Sequence, residues 1–581
     1  MTRGRLVAPV AAGAMVVAGL TGAAAVASAS PGAVTAKGDT SSWLVLAAED
    51  ASAAAVAQSL RASGAKVSSV NAEIGLISVT SSDASFSANA GSIVGVAGVA
   101  SDVSIGSSPR REEKRDSVEK EAAADRSRTN GTGKAAPAPL PGRDPLDKHL
   151  WGMDMINAPA AHEREKGNKG VSVGILDTGI QADHPDLADN FDVARSRNFT
   201  TDIVAIDGPC EFTDCVDPAT VDNDGHGTHV AGTIGASLNE MGVSGVAPNV
   251  SLVNIRGGQD SGYFFLGPVT SALTYAGKVG IDVVNMSFYV DPWLYNCEGG
   301  APQDSAPAAA DQAVIIEAMN RALKYANKRD VTLVGALGNS HEDLSNPRND
   351  LSSPDYDNPA FDWDTAPYER TISNSNCLDL PVEGPNVIGV SSLGPSGAKS
   401  DFSNYATDVR FGEIEVSAPG GWFRDGFGTA SYRTDGNQIL STAPTGVLMA
   451  SGEVDKNGNV TKIGRDNGVL KDCNASGTCG YYQWLQGTSM AAPHAAGVAA
   501  LAVSHHGSMD EENADRGFTL EPKEVSDLLK KTATDHACPA GGLQEYLREG
   551  RSAEFTARCV GSPEFNGFYG AGIVNALGVV E

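Results

Sequence analysis

From Trp151 onward the chain alternates short apolar runs with longer segments of helical period. Val171–Leu176, Leu252–Ile255, Val283–Met286, Leu333–Leu337 and Val387–Val390 carry almost no polar residue. Runs of that length predict strands buried on both faces. Between them Val230–Ser237, Pro268–Val279 and Ala309–Asn327 predict helices. Strands alternating with helices imply an α/β fold built on a mostly parallel sheet. Ligand sites in such sheets lie at the carboxyl ends of the strands. A further segment, Ala491–Val503, has no long polar interruption and predicts a buried helix starting at or beside Ser489. Pro493 is tolerable there only near the first turn.

Ahead of this body, residues 40–103 predict a small α+β unit. Strands are expected at Ser42–Leu46, Lys66–Val70, Leu76–Thr80 and Val94–Val103, with helices at Ala51–Ser63 and Ser85–Asn89. Gly64 is placed to end the first helix. Residues 1–29 have the three parts of a signal peptide: Arg3 and Arg5, an apolar run from Leu6 to Val26, then Ala27-Ser28-Ala29. Behind the small unit, Arg110–Arg128 is dense in charge and Asn130–Pro145 is rich in Gly, Ala and Pro, which predicts a linker. A helix within Glu112–Ala124 is compatible with it. Arg110-Arg111 reads as solvated charge before it reads as a processing site. The division is therefore 1–29, 30–106, 107–147 and 148–581.

A net charge of −28 argues against binding nucleic acid by charge. No second run of 18 or more uncharged apolar residues follows the first. The eight cysteines all lie beyond residue 209, and an even number in an exported chain suggests disulfides. Eight cysteines allow 105 pairings. Proximity selects 210–215 and 473–479, leaving 538–559 and 297–377. Zinc is the alternative, but no Cys-x-x-Cys or His pairing supports it.

Three motifs carry the candidate chemistry. Gly487-Thr488-Ser489-Met490-Ala491 places a serine where a helix begins; by itself a Ser/Thr cap explains it as well. A helix N-terminus would also stabilise an anionic intermediate. Asp177, in Asp177-Thr178-Gly179, ends the first long strand. His226, in His226-Gly227-Thr228-His229, has glycines on both sides, which permit close backbone approach. His229 starts an apolar helix and reads as structural.

In that order these motifs resemble the subtilisin-like serine protease (subtilase) family. The resemblance covers roughly residues 148–581. It implies a three-layer α/β fold, with Ser489 as nucleophile, His226 as base and Asp177 orienting the imidazole. It implies Asn339, in Gly338-Asn339-Ser340, as an oxyanion donor, and Ser287, Gly262 and Gly338 as substrate-binding positions. Asp186 with Asn239 resembles a family calcium site, so structural Ca²⁺ is possible although no cofactor is needed for the chemistry. The small unit resembles a ferredoxin-like propeptide that aids folding and inhibits. The expected protein is thus a secreted, monomeric endopeptidase made as an inactive precursor. Its partners would be protein or peptide substrates and its own propeptide, with no nucleic acid and no membrane after signal removal. The alternative is a catalytically silent, exported peptide-binding protein of the same fold. Ser287-Phe288-Tyr289 departs from the family pattern, and inserts at 341–385 and 445–482 add cysteines that would either rim the cleft or staple surface loops.

Overall fold

The computed structural model describes residues 41–102, 118–120, 143–354, 367–410, 414–509 and 518–581. The predicted signal peptide, Arg110-Arg111 and most of the predicted linker lie outside these residues. So does the helix expected within Glu112–Ala124, apart from Val118–Lys120.

The N-terminal unit runs β1 (Ser41–Ala47), α1 (Ala53–Ala62), β2 (Lys66–Asn71), β3 (Leu76–Ser81), α2 (Phe86–Gly91) and β4 (Val96–Ser101). The strands form an antiparallel sheet in the order β2-β3-β1-β4. Alternation sorts its side chains. Val45, Ile77 and Val79 pack under the two helices, whereas Leu44, Leu46 and Leu76 face away.

That second face is covered by two helices of the large domain, α4 (Leu266–Val279) and α5 (Ala306–Asn327). Leu273, Ala276, Val314, Ile315 and Met319 share its core. Polar contacts fix the register. Arg321 Nη1 donates to Ala47 O at 2.8 Å and Ile74 O at 3.1 Å. Asn71 Nδ2 donates to Thr274 Oγ1 at 2.9 Å, and Lys278 pairs with Glu73 at 2.7 Å.

The large domain is organised by a seven-stranded parallel sheet. Its strands are β5 (Ser172–Leu176), β6 (Arg197–Asn198), β7 (Ser251–Arg256), β8 (Val283–Met286), β9 (Thr332–Ala336), β10 (Val387–Leu393) and β11 (Val416–Pro419), in the order β11-β10-β9-β8-β5-β7-β6. All five predicted runs are strands of it. Val173, Val283 and Val334 point to the layer of α3 (His226–Gly235) and α6 (Thr488–His506). Their neighbours Gly174, Val284 and Leu333 face the other layer, where Val284 and Leu333 pack with α4 and α5. Burial on both faces explains why the strands read as continuous apolar runs.

Helix α6 is buried from Thr488 to Ser504, which removes any amphipathic period. Pro493 lies just past the first turn of this helix. It is the sixth residue of the helix and withholds the N–H that would serve the carbonyl of Ser489. Ser287 Oγ donates to that carbonyl instead, at 3.1 Å. A hydroxyl from the end of β8 thereby offsets the proline.

The disulfides are Cys210–Cys215, Cys297–Cys377, Cys473–Cys479 and Cys538–Cys559. The 445–482 insert is no loose loop. Its later part forms β13 (Leu470–Cys473) and starts β14 (Cys479–Leu485), which pairs with β12 (Ile439–Ala443). In the 341–385 insert, Arg370 is buried between Asp304 at 3.0 Å and Asp350 at 2.9 Å and anchors an antiparallel pair of three-residue strands, 348–350 and 370–372, to the start of α5. Asp144 and Asp147, assigned to the linker by composition, are instead buried against the 239–244 loop.

Candidate active site

Three adjacent strands, β5, β8 and β9, end in Asp177, Ser287 and the loop carrying Asn339. The N-terminus of α6 faces the same edge. Parallel packing therefore gathers residues 177, 287, 339 and 489, distant in sequence, at one carboxyl edge.

Asp177 is fully buried, and its Oδ1 lies 2.7 Å from His226 Nδ1. The same oxygen accepts from Thr178 N at 2.8 Å, which fixes the carboxylate plane. His226 is the first residue of α3 and can come this close because two glycines meet. A Cβ on Gly227 would lie 2.2 Å from Gly179 O, and one on Gly179, at φ +137°, would lie 2.3 Å from Val221 O. Any side chain at either position would push the imidazole away from Asp177.

Asp222 holds this junction and was missed by sequence reasoning. Its Oδ1 accepts from Thr178 Oγ1 and Gly225 N, and its Oδ2 from Thr228 N and Oγ1. It thus ties the turn after Asp177 to the first turn of α3. Burial pushes its carboxyl above the usual range, with Asp224 adding to the effect. Four residues before His226, within Asp222-Asn223-Asp224-Gly225, it looks like an ordinary turn acid.

Ser489 is buried at the second position of α6, and its Oγ reaches Ser287 O at 3.4 Å. Gly487, at φ +151°, brings the chain in; a side chain there would project toward Asn339 Nδ2. Asn339 is held through its amide oxygen, which accepts from Thr488 N and Oγ1, both at 2.9 Å. The amide NH₂ is thereby left aimed at the cleft beside Gly487. Gly338 N donates to Thr488 Oγ1 at 3.1 Å, so the backbone of the strand loop is registered on the helix start. Ser287 enters as a positioning residue: its side chain is spent on the Ser489 carbonyl and accepts from Asn285 Nδ2. Gly262, at φ +81°, lies on the tight turn Gln259–Tyr263.

His229 is structural, as its sequence setting suggested. Its Nε2 lies 3.2 Å from Ile439 O and Gln483 O, and burial pushes its pKa down to about 3. The unfolded side chain titrates near 6.5. Between those values the unfolded state binds the extra proton, so His229 costs stability as pH falls. For His229→Gln, the stability deficit against wild type should shrink by about 1.4 kcal/mol per pH unit from pH 6.5 toward 4. Urea titrations of both proteins across that range check this. Parallel profiles would reject it.

The expected calcium pair is brought together, but its surroundings do not fit a cation. Asn239 Nδ2 points at Asp186 Oδ1 at 3.4 Å, its orientation fixed by Met241 N donating to Asn239 Oδ1. Asp186 Oδ2 accepts from Val243 N at 3.0 Å and from Tyr482 Oη at 2.9 Å. Gly242 N donates to Asp472, and Ser244 N to Asp147. Donors fill the positions that a cation would need occupied by oxygen lone pairs.

One segment was unforeseen at this site. Gln486 Nε2 donates to Val118 O at 2.7 Å and Gln486 N to Glu119 O at 3.2 Å. Glu119 is buried, with Oε1 3.6 Å from His226 Nε2. The charge run that reads as solvated linker thus sends a carboxylate into the cleft.

Residues 168–572 match the model of the subtilase family. The chain is 35% identical over 190 residues to subtilisin Savinase of Lederbergia lenta, covering 33% of this chain and 55% of that protein. It is 26% identical over 385 residues to subtilisin DY of Bacillus licheniformis, covering 66% and 91%. The match to an alkaline protease of Alkalihalobacillus alcalophilus spans 39% of that protein's length. Among solved structures, the epidermin leader peptide processing serine protease of Staphylococcus aureus aligns with a TM-score of 0.59 at 19% identity, over 93% of this chain and 98% of that one. Fervidolysin of Fervidobacterium pennivorans gives 0.51 at 20%, over 94% and 61%. At these identities the structural likeness speaks for the fold alone. The family match spans Asp177, His226, Asn339 and Ser489 together with the sheet that gathers them, and the chain belongs to the subtilase family.

Proposed function

We propose that the chain is a secreted serine endopeptidase that uses Asp177, His226 and Ser489 and is made as an inactive precursor. The observation that carries the reading is the 2.7 Å contact of Asp177 with His226 at the sheet edge that also receives Ser489 and the Asn339 amide. Ser489 Oγ attacks the scissile carbonyl carbon and its proton passes to His226. The oxyanion takes hydrogen bonds from the Asn339 side chain and the Ser489 N–H. When the carbon–nitrogen bond breaks, His226 returns the proton to the leaving amine. Water then repeats the sequence on the acyl-enzyme. The Asp177 carboxylate keeps the imidazole oriented and stabilises its cation. Several relatives are named as proteases, which agrees with this chemistry.

Glu119 supports the precursor reading. Its carboxylate lies 3.6 Å from His226 Nε2 and so occupies space beside the nitrogen that the proposed reaction needs free to take the Ser489 proton. Residues 30 to roughly 145 should therefore leave on maturation. A serine-directed phosphonate tests both statements. It should label the processed protein once, at Ser489, and leave the unprocessed chain unlabelled. No adduct on processed protein would refute the enzyme reading. Equal labelling of both forms would refute inhibition by the N-terminal segment.

A further inference from the structure

We propose that Asn404 is a positioning residue for the oxyanion donor: it clamps the backbone on both sides of Asn339 and so sets where the Asn339 amide stands. This rests on the reading of Asn339 as that donor. Thr488 fixes the amide oxygen of Asn339. A side chain, however, is placed no better than the backbone that carries it.

Asn404 is fully buried and spends its side chain on one loop. Its Nδ2 donates to Leu337 O at 3.0 Å, just ahead of Asn339. Its Oδ1 accepts from Ser340 N at 3.1 Å and from Glu342 N at 2.9 Å, just beyond it. The backbone N–H of Asn404 donates to Gly338 O at 3.0 Å. An amide suits this task because one planar group offers both donor and acceptor. Gly338 carries the imprint of the contact. At φ +103°, a Cβ there would lie 2.4 Å from Asn404 Nδ2, so the glycine makes room for the clamp.

The loop needs holding. Gly338 and His341 both lie at positive φ, +103° and +51°, and for histidine that conformation has to be stabilised by its surroundings. The N–H groups of Ser340 and Glu342 turn inward, where removal of Asn404 Oδ1 would take their partner away. Neighbouring pairs extend the grip. His341 N donates to Phe402 O at 2.7 Å, Tyr405 N to Glu342 O at 2.9 Å, and Leu344 N to Tyr405 O at 2.8 Å.

Asn404 is itself held by a buried cation. Lys399 Nζ donates to Ser403 O at 2.6 Å and to Ser400 O at 2.9 Å. The rings of Tyr405, Tyr546 and Phe568 surround it, with centroids at 5.4, 5.6 and 5.7 Å. Ser403 Oγ accepts from Ser392 N at 3.1 Å, which ties the segment to β10. The clamp is thus built on the strand beside β9, whose end carries Asn339.

A kinetic cycle with Asn339→Ala tests this. Wild type, both single variants and the double variant are produced as the full chain, followed to complete processing by intact mass, and assayed on one peptide ester. In the wild-type background Asn404→Ala should lower kcat by about 10–100-fold, the scale of a small misplacement at the reacting centre. KM should stay within about twofold, because the ground-state carbonyl gains little from the donor. In the Asn339→Ala background the same substitution should cost less than about threefold, since the group it positions is gone. A merely structural role would give the same loss in both backgrounds. If Asn404→Ala does not fold, Asn404→Asp decides through the same cycle. It keeps an acceptor for Ser340 and Glu342, removes the amide donor to Leu337 O, and should cost about threefold to tenfold in the wild-type background alone. Equal losses in both backgrounds, or an unchanged kcat in the Asn404 variant, would overturn the role of Asn404. Full turnover in Asn339→Ala would instead overturn the oxyanion reading beneath it.

Discussion

Ser489→Ala should lower peptide-ester turnover by about 10⁶-fold, the scale known for loss of a triad serine in subtilisin. The reason is local. Ser489 Oγ lies where the sheet edge meets the start of α6, and the two hydroxyls beside it are committed elsewhere. Ser287 Oγ is engaged with the Ser489 carbonyl, and Thr488 Oγ1 with Asn339. The substitution should scarcely affect folding. The Ser489 side chain makes one long contact, 3.4 Å to Ser287 O, and alanine is the best helix former. Thermal unfolding should therefore stay within a few degrees of wild type while turnover vanishes. The variant should also accumulate as the longer precursor, detectable by intact mass. If turnover survived, the protease reading would fall, whatever the family relationship.

Much of this was legible because the signals were local. Strands buried on both faces announce themselves as apolar runs, and Asp177, His226 and Ser489 are framed by glycines that close approach demands. What stayed hidden depended on partners far away in sequence. Pro493 reads as tolerable by its nearness to the first turn, whereas the hydroxyl that serves the freed carbonyl belongs to Ser287, 202 residues from Ser489. Glu119 sits in a charge run whose composition describes a solvated linker, and composition carries no information about a docking partner.

The calcium expectation shows the same limit. His184-Pro185-Asp186-Leu187 has the family pattern. Part of what surrounds it comes from the 445–482 insert: Tyr482 Oη donates to Asp186, and Asp472 accepts from Gly242 N. What surrounds Asp186 is set by a segment far away in sequence, which the motif alone does not show.

Asn339→Ala should reduce kcat by roughly 10²–10³-fold, the subtilisin figure for one oxyanion donor, with KM little changed. The amide donates mainly to the oxygen as negative charge develops on it, so the ground-state carbonyl loses little. The structure adds a complication that the kinetics must separate. Asn339 Oδ1 also accepts from Thr488 N and Oγ1, and alanine would leave a part-buried N–H without that partner. Such a loss costs about 1–3 kcal/mol of stability and loosens the first turn of α6. Asn339→Asp resolves the two roles. A carboxylate keeps the acceptor for Thr488 but presents an anion, and no NH₂, to the developing oxyanion. Its unfolding temperature should return toward wild type while kcat stays as low as in Asn339→Ala, or lower. Recovery of both in Asn339→Asp would make Asn339 a brace for the helix start and remove it from the chemistry. Full turnover in Asn339→Ala would do the same while leaving the roles of Asp177, His226 and Ser489 intact.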